Sequence, residues 1–122
     1  MRNRMALVVL TLFYVFIFSA GSLKAQDVAK VSPDQYKVIF ENDKVRVMDD
    51  LSKPGDKADW HSHPDMLIYV LEGGKSKTTF KDGKTTTREF KKGTTVWQDA
   101  VTHATENVGK TKIHLILVEL KK

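Results

Sequence analysis

Three of the four histidines in this 122-residue sequence sit where they could hold a metal ion. His61 and His63 open the stretch WHSHPDMLIYVLEGG, Trp60 to Gly74, in which an apolar run ends at a Glu-Gly-Gly turn. On an extended strand side chains alternate between faces, so His61 and His63 point the same way and Ser62 points opposite. Two imidazoles on one wall of a sheet form half of a metal site, and another strand must supply the rest. His103, at the start of HATENVG, is the candidate third donor. His114 lies inside the alternation of the closing run KIHLILVEL and reads as an ordinary strand residue.

The elements that must position these residues read as strands. Tyr36 to Phe40 and Lys44 to Leu51 are β-branched and apolar around the turn Glu41-Asn42-Asp43. Pro54-Gly55 marks a loop, Ser52 to Asp59, that hands the chain to the histidine stretch. KSKTTF and TTTREF flank Asp82-Gly83, a short-range hairpin signal. Thr94 to Gln98, the His103 segment and Lys112 to Leu120 complete the set. Strands about every ten residues, with Gly, Pro or Asp between them and no helical period, predict an all-β sandwich or barrel.

Composition narrows the function. Arg2 and Arg4, the apolar run Ala6 to Phe18 and the small residues Ser19 to Ala25 have the pattern of a secretory signal peptide. We expect 1–25 to be removed, after Ala25 or alternatively after Gly21 or Ser22, and the product to be periplasmic or secreted with no further membrane attachment. An arm, 26–35, is expected to precede the folded domain, 36–122, without forming an element itself. Cleavage removes Arg2, Arg4 and Lys24 and no acids, leaving 17 basic residues of the original 20 against 15 acidic. That balance gives no reason to expect nucleic acid as a partner. Lys75, Lys77, Lys81 and Lys84 flank the hairpin turn, where lysines keep strand edges from pairing. The absence of cysteine excludes disulfides, thiol catalysis and iron-sulfur clusters. A domain this small buries a modest core, so a metal or a homodimeric partner would help to hold it.

The motifs resemble those of the cupin superfamily. Its first motif runs Gly, five residues, His-x-His, three or four residues, Glu, six residues, Gly; this chain has Gly55, His61-Ser62-His63 and Gly74 at the shorter spacing. Its second runs Gly, five residues, Pro-x-Gly, two residues, His, three residues, Asn; Gly93 and the pair His103 and Asn107 match, with the interval one residue short and Gln98 and Ala100 in the proline and glycine slots. HSHPD, YVLEGG, AVTHATENVG and the closing VELK look like small single-domain cupins of the β-alanine-degradation-protein type. The resemblance implies a jelly-roll (double-stranded β-helix) barrel with an interior metal site, and no particular reaction. The family's glutamate ligand has no counterpart, since its slot holds Leu67, or Ile68 at the longer spacing. Asp65, beside Pro64, is not assigned that role.

The expected ligands are therefore His61, His63 and His103 around a divalent ion, with Fe, Zn, Mn, Ni and Cu not distinguished. Three neutral imidazoles leave the ion its full charge and leave positions open, for water on zinc or for substrate and dioxygen on iron. Continued alternation from His63 puts Leu67, Tyr69 and Leu71 on the interior face, with Tyr69 as the candidate catalytic hydroxyl. Thr105 and Asn107 share the face of His103, although Asn107 has a second reading as the holder of a turn. Trp60 and Trp97 are expected in the core or the cavity wall. Glu106 should face away and Glu72 belongs to a turn, which leaves no glutamate or lysine as a base. The expected function is a metal-binding cupin, either an oxygenase or lyase acting on a small organic molecule in the barrel, or a non-enzymatic small-ligand or metal-binding module of the cell envelope. A purely structural role for the metal is a weaker third reading.

Overall fold

The computed structural model describes residues 26–122. The expected signal segment and its cleavage point lie outside the described residues. The order is one helical turn, α1 (Val28–Val31), then β1 (Tyr36–Glu41), β2 (Val45–Ser52), β3 (Lys57–His63), β4 (Met66–Glu72), β5 (Gly74–Phe80), β6 (Thr85–Phe90), β7 (Thr95–Gln98), β8 (Val101–Asn107) and β9 (Ile113–Leu120). Two antiparallel sheets face each other, one ordered β1-β2-β9-β4-β7 and the other β3-β8-β5-β6. This is the expected all-β jelly roll.

Alternation builds the core. Along β9, Ile113, Leu115, Leu117 and Glu119 are buried, and along β4 Met66, Ile68 and Val70 are. Together with Met48, Ala58, Phe90 and Val28 they fill the space between the sheets. Asp82-Gly83 turns β5 into β6, with Gly83 at φ 83°, a conformation glycine adopts without a Cβ penalty. Gly73 is required for a different reason, because a Cβ there would stand 2.2 Å from the carbonyl oxygen of Phe90.

The structure divides the stretch Trp60 to Gly74, read as one strand, between the two sheets. His63 pairs with Val101 in the four-stranded sheet, whereas Met66 pairs with Gln98 and Glu119 in the five-stranded one. Pro64 has no N–H to extend the ladder, so the chain turns a corner at Pro64-Asp65. The corner reverses the parity of what faces inward, from odd numbers (61, 63) to even (66, 68, 70). Leu67 and Tyr69 therefore lie on the outer face, 38% and 44% exposed, and Leu71 is half-buried. Their assignment to the interior does not hold, because it assumed an unbroken strand.

Two further expectations change. Trp60 and Trp97 are 42% and 51% exposed, so neither fills the core or walls the cavity, and the Trp97 indole N–H donates to Asp99 on the surface at 2.9 Å. Residues 26–35, expected to form no element, carry α1, whose N-cap Asp27 accepts from the Ala29 N–H at 3.0 Å. Val28 is fully buried and α1 packs between β1 and β3, closing one side of the sandwich.

Among the outward side chains, five stand in register across the larger sheet. Trp97 pairs with Leu67, Leu67 with Val118, Val118 with Val47 and Val47 with Phe40, a continuous apolar row from one edge to the other.

Candidate metal centre

His61 and His63 are inward on β3, and His103 is inward on β8 directly opposite His61 in the register. All three are buried, with ligating nitrogens within 4.8 Å of one another and ring centroids 4.7–5.6 Å apart. An irregularity between Ala58 and His61 lets both residues face inward despite their odd separation. It is a β-bulge, a device that re-aims a side chain without ending the strand.

Neighbouring groups fix which nitrogen of the His61 and His63 rings carries the proton. His61 Nδ1 lies 2.6 Å from the Asp59 carbonyl oxygen, which can only accept, so Nδ1 bears the hydrogen. His63 Nδ1 lies 2.7 Å from Oε2 of Glu119, whose Oε1 accepts from Arg46 Nε and Nη2 at 2.7 Å each. A carboxylate engaged with a guanidinium accepts, so His63 also donates from Nδ1. With Nδ1 as the donor in both rings, Nε2 is the nitrogen left to face a metal. His61 Nε2 is buried and has no hydrogen-bond partner. An orphaned buried acceptor of this kind costs about 1–3 kcal/mol, a cost that a coordinated ion removes.

Electrostatics keep the rings ready. Burial pushes the His61 pKa down to about 4, against the opposing effect of the Asp59 hydrogen bond. Burial, reinforced by His61, His63 and Arg88, pushes His103 down to about 3. At neutral pH no proton competes for the nitrogens of His61 and His103.

Glu119 is the residue that alternation alone did not bring out. It is 2% exposed, at the inward position that follows Ile113, Leu115 and Leu117. A charged residue continuing a strict apolar alternation was the available signal. Its partner Arg46 is tied in turn to Asp27 by a 2.7 Å ion pair. The family's glutamate slot stays apolar, with Ile68 in the core and Leu67 outside. Glu119 answers it only indirectly, as a carboxylate on the far side of the His63 ring.

His63 and His103 open onto a cavity of about 100 Å³ between the sheets, lined also by Tyr36, Asp50, Arg88 and Gln98 among others. Tyr36 is buried, its ring centroid 5.8 Å from that of His61, and burial with the nearby Asp50 raises its pKa well above the ordinary phenol value. Asp50 is 6% exposed and accepts from Gln35 Nε2 at 3.0 Å; desolvation raises its pKa to about 7. Asp50 is thus a buried carboxyl on the wall of the cavity. Along β2 the burial alternates so that Met48, Asp50 and Ser52 face inward. Tyr69, the candidate catalytic hydroxyl, is outside the lining.

The remaining residues have structural partners. Thr105 lines the cavity, while buried Asn107 donates to the carbonyls of Ser52 at 3.0 Å and Thr111 at 2.9 Å, which makes it a turn-holder. Asp65 accepts from the Ala100 N–H at 2.8 Å, Glu106 pairs with Lys57 at 3.3 Å, and His114 pairs with Asp49 at 2.6 Å.

No protein-family model matches the sequence, and no curated protein matches it. Solved structures do. A cupin domain from Bordetella pertussis aligns with TM-score 0.66 at 22% identity over 71% of this chain and 92% of its own. A cupin family protein with a double-stranded β-helix fold from Methanocaldococcus jannaschii aligns with TM-score 0.57 at 12% identity, covering 70% of this chain and 78% of that one. The fold is that of the cupins. A conserved protein with a double-stranded β-helix domain from Klebsiella pneumoniae extends the match to 84% of this chain and 88% of its own, at TM-score 0.56 and 18% identity. In this cupin barrel the three histidines come from adjacent strands of one sheet, and the carboxylate that holds His63 comes from the other.

The pKa shifts set the pH dependence of the metal-free protein. His61 and His103, depressed on folding, contribute stability that is present above about pH 6.5 and is lost as pH falls towards 4. Asp50, raised on folding, acts in the opposite sense, and its contribution is lost as pH rises from about 4 towards 7. Two groups against one leave a net loss of roughly 1.4 kcal/mol per pH unit between about pH 6.5 and 4. Urea unfolding of chelator-treated protein should show that slope, and Asp50→Asn should about double it.

Proposed function

We propose that this chain is an exported metal-dependent cupin, an oxygenase or lyase acting on a small organic molecule, with His61, His63 and His103 as its metal ligands. The observation that carries the reading is the unpartnered, buried Nε2 of His61 beside two further imidazoles whose orientations converge on it. A divalent ion held there supplies Lewis acidity towards a substrate oxygen and, if it is iron, access to dioxygen chemistry. The protein groups do the rest. The Asp59 carbonyl and Glu119 hold the ring protons of His61 and His63, and so keep the tautomers in which Nε2 faces the centre. Met66, Ile68, Leu115 and Leu117 make the apolar wall that limits water. Asp50, across the same cavity, is placed to hold or release a proton, with Gln35 fixing its carboxyl. The likeness of HSHPD, YVLEGG and AVTHATENVG to small single-domain cupins of the β-alanine-degradation-protein type is consistent with this without naming a reaction.

Elemental analysis of protein purified without a metal-chelating tag should find about one divalent ion per chain. His61→Ala and His103→Ala should each lose most of it, and full occupancy in either would overturn the ligand set. Glu119→Gln should keep the fold but weaken metal affinity about 10–100-fold in a competitive chelator titration, the usual size of the effect when a ligand's supporting group is altered. Turnover by the iron, manganese or zinc form against thiols, diketones and aromatic diols, followed by oxygen uptake and product analysis, separates an enzyme from a binding module.

The outer row Trp97, Leu67, Val118, Val47 and Phe40 supports the proposed homodimer, since a second copy would cover an apolar stripe that crosses the whole sheet. Sedimentation velocity should give a dimer that Trp97→Lys with Leu67→Lys converts to a monomer. A wild-type monomer at high micromolar concentration would exclude that assembly.

A further inference from the structure

The strands that border the cavity opposite α1 are β6 and β7, each the last strand of its sheet, and no backbone ladder joins them. One side-chain bond crosses the gap. Arg88 on β6 donates from Nη2 to Oε1 of Gln98 on β7 at 3.0 Å, and its guanidinium lies over the Phe90 ring, 5.4 Å from the centroid. Gln98 occupies the register row of Met66 and Glu119, the level at which Glu119 reaches His63. The contact therefore carries the guanidinium from its own place on β6, opposite Ser76, towards the level of the histidines.

Among the described residues Arg88 makes no ion pair, although it lines the cavity at its exposed edge. The other charges around the site are already matched. Glu119 is neutralised by Arg46, Arg46 also reaches Asp27, and Glu106 meets Lys57. Three neutral imidazoles would add no negative charge to a bound cation. Among the described residues of the lining only Asp50 is left to oppose this excess of positive charge, and its carboxyl is held by Gln35. The cavity, about 100 Å³, suits a small molecule.

We infer that the barrel binds a small organic acid whose carboxylate is recognised by Arg88 at the mouth, its other end directed at the three-histidine centre. This rests on the reading of His61, His63 and His103 as metal ligands for the inner end of the molecule, while the Arg88 end stands on its own geometry. Arg88 is pre-set for the task. Gln98 and the Phe90 ring hold the guanidinium plane, leaving its remaining N–H groups for the forked contact that carboxylates favour.

Calorimetric titration of metal-free and Co(II)-loaded protein with acetate, pyruvate and succinate, against acetamide and pyruvamide, tests the inference. The acids should bind at least about tenfold more tightly than the amides, as expected for a charge-assisted contact. Arg88→Gln should abolish that preference with Co(II) stoichiometry unchanged, and Arg88→Lys should restore part of it. Equal binding of acids and amides, no binding of any acid below 10-millimolar concentrations (an order-of-magnitude ceiling of ~10 mM for such small ligands), or an Arg88→Gln variant that binds acids like the wild type would each overturn it. Failure to take up Co(II), with Arg88-dependent acid binding retained, would remove the metal reading and leave the anion site standing.

Discussion

The buried carboxylate of Glu119 is the constraint to which the rest of the site answers. An isolated ionised carboxylate in this position would cost several kcal/mol in lost hydration, so it must be surrounded by donors. Arg46 supplies two N–H groups to one oxygen and His63 supplies Nδ1–H to the other, each at 2.7 Å. These contacts join β2, β9 and β3, and so hold the two sheets together at the histidine end of the barrel. Arg46 extends the connection to Asp27, the N-cap of α1. The short segment before β1 is thereby fastened to the histidine centre by two ion pairs and one hydrogen bond to a carboxylate. Losing one member would strand a buried charge, which is typically more damaging than never having had the pair.

Two interruptions of regular strand geometry do the positioning. The bulge at Asp59-Trp60 allows Ala58 and His61 to face inward together and puts the Asp59 carbonyl where His61 Nδ1 can donate to it. The corner at Pro64-Asp65 moves the chain from one sheet to the other and reverses its parity, so that Met66, Ile68 and Val70 close the core over the histidines. Asp65 secures that corner through the Ala100 N–H and through its own carbonyl, which accepts from the Leu120 N–H at 2.9 Å. The residue passed over as a ligand thus has a mechanical part.

What could be read beforehand follows from which signals are local. Strand positions and hairpin turns were legible because alternation and Asp-Gly chemistry act over a few residues. The convergence of His61 and His63 was legible for the same reason, and His103 through its motif. The inward parity of β4 was not, since one proline at a corner shifts every following side chain to the opposite face. That single step misplaced Leu67 and Tyr69. Asp50 and Glu119 escaped because their importance depends on partners far along the chain, Gln35 and Tyr36 in one case, Arg46 and His63 in the other. Trp60 and Trp97 escaped because size favours burial only on average, and here both stand on outward positions.

Moving the carboxylate from the metal's immediate surroundings to the far side of His63 changes the electrostatics of the centre. A glutamate ligand would cancel one unit of a divalent charge. Glu119 instead makes the His63 ring a better donor through its Nδ1–H, and most of its own charge is spent on Arg46. The ion would retain nearly its full charge, in a cavity where desolvation already suppresses protonation of His61 and His103. Such a centre favours ligands that bring negative charge with them. Arg88 at the mouth would bias the cavity in the same direction, so that two features from opposite edges of the fold would select for the same kind of molecule.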